Sequence, residues 1–390
     1  MSDHASPPRK PSGLTREEGV ARIRLIRSGG IGPVSYHQLL ARFGSASAAL
    51  EALPGLGKSG FRPFPVKAVE AEMAAVRGAG GRYLFHDGAD YPALLGLAEG
   101  APPILIVRGD PLMAQRRPVA IVGARNASAG AMKLARMLAR DLAGEGCAVI
   151  SGLARGVDAA AHEGALGAEN GAGTVGVIAG GIDIAYPPEH AALQERIANE
   201  GLLISEMPPG TEPTQRHFPA RNRIIAGLAM GTVVVEAAPK SGSLITARLA
   251  GDYGRAVMAV PGSPLDPRAH GGNDLIREGA VLVQRVEDIL ELLTDFQGAP
   301  RMPLRAPKQE ALPLSAADVS APDEAPVQQS SASHGADERI TALLGVAPIG
   351  VDDLIRHCGL PAGVVQAALV DMELTGAIIR HAGGRVSRAV

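Results

Sequence analysis

The stretch PVAIVGARNASAGAMKLARMLARDLAGEGCAVISG, Pro118–Gly152, decides the fold class. It opens on a short apolar run, PVAIVG, continues as the amphipathic pattern AMKLARMLARDLA, and closes on a second apolar run, CAVISG. The outer runs read as strands buried on both faces, and the 3.6-residue spacing between them reads as a helix. The same alternation extends in both directions. ILIVRG precedes it, while TVGVIAGG, LLISE, GTVVVEA and RAVMAVPG follow, with LITARLAGDY among the intervening helices. Apolar strands alternating with helices predict a parallel sheet covered on both sides.

Residues 81–297 are therefore expected to form an α/β domain. Residues 14–80 read as a small helical domain broken at GGIGP and LPGLGKSG. Residues 298–336, rich in Pro, Ala, Ser and Gln, read as a flexible linker. Residues 337–390 give three helical patterns, including VDDLIRHCG and PAGVVQAALVDMELTG, and a hairpin around Gly383-Gly384, the outline of a winged helix. The polar residues 1–13 are expected to be disordered and lack the apolar core of a signal peptide.

Composition narrows the partners. The 390 residues are 46% hydrophobic, enough for a large core, and carry a formal charge of −2. No global charge draws this chain to nucleic acid or to an anionic membrane, so any polyanion site must be a local cluster. No apolar run reaches the ~18–20 residues of a membrane span. Cys147 and Cys358 lie far apart in apolar surroundings and indicate neither zinc nor a disulfide framework. The expectation is a cytoplasmic protein without metal, cofactor or membrane partner.

Two motifs fail on context. ALPGLGKS, Ala52–Ser59, has Ala where a phosphate-binding P-loop needs Gly, and follows a helical pattern rather than a strand. GAGTVG, Gly171–Gly176, leads into a strand, whereas a dinucleotide fingerprint follows a strand and opens a helix.

Open α/β sheets bind ligands beyond the carboxyl ends of their strands. There the chain places Gly123, Ala124, Arg125, Asn126 and Ser128, then Arg155 and Gly156 with Asp158 and His162. Asp183, Tyr186 and Pro187 follow the next strand, and Glu236 with Lys240, Ser241, Gly242 and Ser243 a later one. HFPARNRIIAGL, His217–Leu228, adds Phe218, Arg221, Asn222 and Arg223, with both arginines expected in the first turn of a helix. Cations there oppose the macrodipole, so something negative is expected to compensate: a phosphate, Glu236 or Glu206. Arg125, Lys240 and the Arg221/Arg223 pair each lie at a predicted helix N-terminus, where free N–H groups bind anions. With Arg155 and Arg248 they suit a run of phosphates better than one mononucleotide. Phe218, in a chain only 3% aromatic, is placed to stack a base. Each residue also has a plainer reading: an arginine as a surface ion pair, Phe218 as core, Asp158 and His162 as a local hydrogen-bonded pair.

IVGARNAS, SGLARGVDAAAH, GGIDIAYPPEH, SEMPPG, HFPARNRIIAGL, VVVEAAPKSGSLITARLA, AVPG and GGNDLIREGA, in that order from about Tyr83 to Leu293, resemble the DNA-processing protein A (DprA/Smf) family. The resemblance implies an extended Rossmann-like domain that binds single-stranded DNA, dimerises, and loads RecA recombinase during natural transformation. It implies a sterile-alpha-motif-like or helix-hairpin-helix domain before it and a winged helix after it. Arg125 and the loop before RNRIIAGL would lie in the DNA pocket. Where the family often has Gly-Ser-Arg, this chain has Gly123-Ala124-Arg125, so a possible phosphate donor is missing.

The expected function is non-catalytic binding of single-stranded DNA. The rival is a nucleotide-processing enzyme, phosphoribohydrolase-like, with Glu236 and Asp158 as candidates, although no acid, base and nucleophile cluster together. Duplex reading by the tail is disfavoured because its third helix carries Asp371 and Glu373 and no Arg or Lys. Arg380, Arg385 and Arg388 remain to touch a backbone, so the tail is expected to contact protein or assist weakly.

Overall fold

The computed structural model describes residues 14–55, 61–294, 339–345, 347–374, 377–381 and 384–388. The expected disordered segment 1–13 and the linker 298–336 lie outside them, as do Lys58 and Gly383. Contacts divide the chain into two compact units, one holding the described residues of Glu70–Ala306, the other those of Gly13–Val69 and Pro307–Val390.

The chain begins with α1 (Arg16–Arg27), α2 (Pro33–Phe43) and α3 (Ala46–Ala52), and the division between units falls inside α4 (Val66–Gly78). Next come β1 (Arg82–Phe85), α5 (Ala93–Gly96), β2 (Ile104–Gly109), β3 (Val119–Val122), α6 (Ala129–Gly144), β4 (Val149–Ser151) and α7 (Val157–Leu166). They are followed by β5 (Thr174–Val177), α8 (Ala191–Glu200), β6 (Leu202–Ser205), α9 (His217–Leu228), β7 (Gly231–Val234) and α10 (Gly242–Asp252). β8 (Ala256–Ala259), α11 (His270–Arg277), β9 (Val281–Leu282) and α12 (Val286–Leu293) complete this unit's described elements.

Its strands form one sheet in the order β1-β2-β6-β5-β4-β3-β7-β8-β9. All seven apolar runs are strands. From β6 to β9 every pairing is parallel, but β2 runs antiparallel to both β1 and β6. The parallel sheet expected from the pattern is present, with an antiparallel edge at β1 and β2. The reason is connectivity: between β1 and β2 the only helix is the single turn of α5, and antiparallel neighbours need no long crossover.

Both sheet faces are buried, and alternate residues go to opposite sides. Val119, Ile121, Val149 and Val233 pack with Leu138 and Leu142 of α6, Val157 of α7 and Ile289 of α12. Ala120, Val122, Ile150 and Val234 pack with Ile224 and Ile225 of α9 and Leu244 of α10. Burying one such large aliphatic side chain contributes about 1.5–3 kcal/mol. From β3 the chain builds β4, β5 and β6 outward on one side, then returns to add β7, β8 and β9 on the other. That reversal opens a crevice beyond the carboxyl ends of β3, β4 and β7.

In the second unit, α1 to α3 enclose Leu25, Tyr36, Leu39, Leu50 and Leu53. Glu18 accepts from the N–H groups of Ala46 (2.7 Å) and Ser47 (3.2 Å) at the start of α3. Ala52 ends that helix and no strand precedes it, so the described part of ALPGLGKS is no P-loop. α13 (residues 339–343), β10 (Ile349–Gly350), α14 (Val351–Cys358), α15 (Ala362–Leu374), β11 (Ile378–His381) and β12 (Arg385–Arg388) form the winged helix, with strand order β10-β12-β11. Val365, Leu369 and Met372 of α15 lie in its core. Arg380, expected to reach a DNA backbone, instead donates to Glu373 at 2.8 Å. Among the described residues no helix is long and apolar enough to cross a membrane.

Candidate nucleic-acid interface

The crevice is a groove of about 720 Å³ lined by the segments that follow β3, β4 and β7 and by the first turns of α9 and α10. Arg125 and Asn126 come from the first, Ala154 and Asp158 from the second, Pro239, Lys240, Ser241, Gly242 and Ser243 from the third. A smaller cavity of about 40 Å³ adjoins it, sharing Arg125, Tyr186, Phe218 and Arg221 and adding Arg155 and Ile178–Gly180.

Backbone geometry makes the close approaches possible. Gly156 has φ 76° and lies against the Ala124 carbonyl, where a Cβ would collide with that oxygen. A Cβ at Gly152 would collide with the Arg221 guanidinium. Leu153 (φ 59°) and Lys240 (φ 68°) are non-glycine residues held in the left-handed region, one after β4 and one before α10. Such conformations persist where the surroundings impose them, which is common at binding sites.

Arg221 is the buried brace of the groove. Its Nη1 donates to the carbonyl oxygens of Gly152 and Val177, the latter at 2.8 Å, and so ties the ends of β4 and β5 together. Its Nε donates to Asn222 Oδ1 at 3.0 Å, and Asn222 Nδ2 reaches the Gly242 carbonyl at 3.2 Å. Burial lowers the Arg221 pKa to about 10, with the Asp158 charge raising it and Arg125 lowering it, so it stays cationic at neutral pH. Asp158 accepts from the N–H groups of Gly152 (3.2 Å) and Ala154 (3.3 Å); burial pushes its carboxyl up while Arg221 and these donors pull it down.

α9 begins at His217, so Arg221 and Arg223 lie in its second turn, not the first as expected from Pro219. Their charges are answered by side chains and carbonyls rather than decided by the macrodipole. Arg223 points away from the groove: Nη1 donates to the Gly100 carbonyl and Nη2 to Glu206, both at 2.5 Å. Of the carboxylates expected behind the pair, Glu206 serves Arg223 and Glu236 serves neither.

Glu236 is held instead at the start of α6. Its Oε2 accepts from the Ser128 N–H (3.2 Å) and Oγ (2.6 Å), and its Oε1 lies 3.4 Å from Arg268 Nε. A carboxylate thus occupies the anion position of this helix N-terminus. Ser128, expected as a phosphate donor, is an N-cap accepting from the Ala131 N–H at 3.1 Å and lines a separate pocket with Glu236. Arg248 is exposed on α10 and does not line the groove.

Asp158 and His162 do not form the expected local pair. His162 Nδ1 lies 2.8 Å from Thr174 Oγ1, while its buried Nε2 has no hydrogen-bond partner. Burial, then Arg221 and His190, push its pKa down to about 3. Among the described residues no group of three or more His, Cys, Asp and Glu is disposed to hold a metal.

The groove's aromatic corner is only half legible in the sequence. Phe218 is partly buried, with Tyr186 at 5.8 Å between ring centres. Tyr186, 44% exposed, is marked in the sequence by its place after a strand, and the scarcity of aromatics is a second signal for it. Arg268, which follows the Pro261-Gly262 turn, was missed altogether and lines the same groove. Arg155 is exposed and paired with Glu189, and Arg268 is paired with Asp266 and Glu236. Arg125 and Lys240 have no carboxylate partner among the described residues, and both are exposed.

Comparisons with known proteins agree with this architecture. Residues 82–294 match the family described as DNA recombination-mediator protein A, residues 16–75 the DprA-like N-terminal HHH domain, and residues 322–384 the DprA winged helix domain. The chain is 34% identical over 324 residues to Protein Smf of Synechocystis sp., covering 79% of this chain and 80% of that one. It is 41% identical over 224 residues to DNA processing protein DprA of Bacillus subtilis, covering 57% and 75%. The X-ray structure of DNA processing protein A from Streptococcus pneumoniae superposes with TM-score 0.56 at 32% identity, covering 72% of this chain and 94% of that one.

Proposed function

The chain belongs to the DNA recombination-mediator protein A (DprA/Smf) family, and from that premise we propose that it binds single-stranded DNA along the groove beyond β3, β4 and β7. One observation carries the reading: Arg125 and Lys240 line the groove and, among the described residues, have no carboxylate partner. Cations there release counterions from a nucleic-acid backbone as they neutralise its phosphates. Phe218 and Tyr186 beside Arg125 supply a sequence-tolerant stacking surface, as single strands require. The helical domain (14–80) and the winged helix (337–390) act as accessory modules. The partners implied are RecA recombinase, which the protein would load onto incoming DNA during natural transformation, and a second copy of the chain joined through the Rossmann-like domain.

The test is fluorescence anisotropy of labelled oligothymidylate without ATP or metal, beside a duplex of equal length. Single-strand preference, with a log–log salt slope of about 0.7 per phosphate neutralised, and loss of both in Arg125→Ala/Lys240→Ala would support the reading. No binding by the folded full chain would sink it. Loading is tested separately, by the rate at which RecA assembles on oligonucleotide already coated by the protein.

The hydrolase alternative finds less support. Glu236 is engaged by Ser128 and Arg268 and faces a different pocket from the aromatic corner. Release of free base from a mononucleotide, abolished by Glu236→Gln, would reinstate it.

A further inference from the structure

Arg268 stands on the wall of the groove that Arg125 and Lys240 also line, on a loop outside the segments that follow β3, β4 and β7. It follows β8, between Pro261 and the start of α11, and its side chain is 43% exposed. Two carboxylates hold it. Asp266 Oδ1 accepts from Arg268 Nε at 3.1 Å and from its backbone N–H at 2.9 Å, and Oδ2 accepts from Nη2 at 2.9 Å. Glu236 Oε1 lies 3.4 Å from the same Nε. These contacts engage Nε and Nη2, and among the described residues none uses Nη1.

The two carboxylates differ in what else they do. Glu236 is buried and is fixed by Ser128 at the start of α6. Asp266 is 34% exposed in its side chain, and among the described residues only Arg268 donates to its carboxylate. A bidentate carboxylate presents the same planar pair of acceptor oxygens that a phosphate presents to a guanidinium. A solvent-exposed ion pair holds its partners only weakly, so a phosphate can displace it.

We infer that Arg268 is a further phosphate-binding residue of the groove, withheld by Asp266 in the free protein and transferred to the DNA backbone when a strand enters. The inference rests on the groove being the DNA site and adds the loop after β8 to it. Asp266 acts as a built-in competitor that sets how tightly a strand is held. Glu236, being fixed, keeps the guanidinium at the groove wall during the exchange.

The experiment compares the full chain with Arg268→Ala, Asp266→Asn and the double variant, using labelled oligothymidylate at several salt concentrations. Asp266→Asn keeps an acceptor for the Arg268 backbone N–H while removing the competing charge. Arg268→Ala is expected to weaken binding about fivefold to tenfold and to lower the salt slope by about 0.7. Asp266→Asn is expected to tighten binding about twofold to fivefold, and the double variant to bind as Arg268→Ala does. Arg125→Ala in the same titration separates the two levels. If Arg125→Ala weakens binding while Arg268→Ala and Asp266→Asn leave affinity and slope at wild-type values, the groove reading stands and the inference about Arg268 falls. Weaker binding by Asp266→Asn would likewise overturn it, because Asp266 would then be positioning Arg268 rather than withholding it.

Discussion

The guanidinium of Arg125 lies 4.9 Å from the centre of the Phe218 ring, and the buried guanidinium of Arg221 approaches the same ring at 6.0 Å. An exposed arginine would ordinarily sample many rotamers. Here a ring limits it without neutralising it, an attraction of about 0.5–1 kcal/mol at exposed sites. The charge remains available to a ligand.

Two substitutions separate charge from stacking. Arg125→Ala should weaken oligothymidylate binding about tenfold and reduce the salt slope by about 0.7. Phe218→Leu keeps an apolar side chain but removes the π-face, and should weaken binding about fivefold or more with little change of slope. Anisotropy across a salt series distinguishes them; equal slope changes in both variants would show that Phe218 acts only by placing Arg125.

Arg221 should behave as a structural residue. Removing it leaves Asp158 without its buried counter-charge and the Gly152 and Val177 carbonyls without their shared donor. Arg221→Met should cost about 3–5 kcal/mol of stability, seen as a lowered denaturation midpoint of the α/β unit. A variant as stable as the wild type but unable to bind DNA would instead make Arg221 a ligand residue.

Ser128 gives the converse. Ser128→Ala removes a cap and one of the donors to Glu236, and should cost about 0.5–2 kcal/mol in stability. Its affinity for oligothymidylate should match the wild type once both are folded, because Ser128 does not line the groove. A selective loss of affinity would place DNA in the pocket that Glu236 faces.

His162 predicts an acid sensitivity. Its pKa in the folded protein, about 3, lies below the ordinary value of 6.5. Above about pH 6.5 neither state binds the proton, and the contribution to stability is complete. As pH falls toward 3 the unfolded chain binds a proton that the folded one refuses, and stability drops by up to about 1.4 kcal/mol per pH unit. His162→Asn should flatten the loss between pH 7 and pH 5 by about one proton's worth, as measured by chemical denaturation at each pH.

The strands were legible because double burial leaves a plain trace: PVAIVG has no polar residue, and CAVISG has only Ser151 at its end, so neither is confused with a half-exposed element. The antiparallel edge was less so, since an apolar run carries no mark of direction and β2 owes its sense to the missing crossover helix. At the site, Arg125 and Lys240 could be found by their place after strands. The fates of Arg221 and Arg223 could not, because they depend on carbonyls of Gly152, Val177 and Gly100, groups with no sequence signature. Ser128 looked like a phosphate donor for the same reason that it is a cap. Both roles need a hydroxyl at a helix start, and only the fold brings Glu236 to claim it.

The reversal of strand order at β3 has a consequence for how binding competence is acquired. Arg125 follows β3 and Lys240 follows β7, so these two cations come to line one groove only when β7 docks beside β3. A chain emerging from the ribosome can pair β3 with β4, and β4 with β5, well before β7 exists. During that interval it presents Arg125 alone. Capture of a strand between the two charges is therefore withheld from half-made protein, and affinity for DNA doubles as a report that the sheet has closed on its second side.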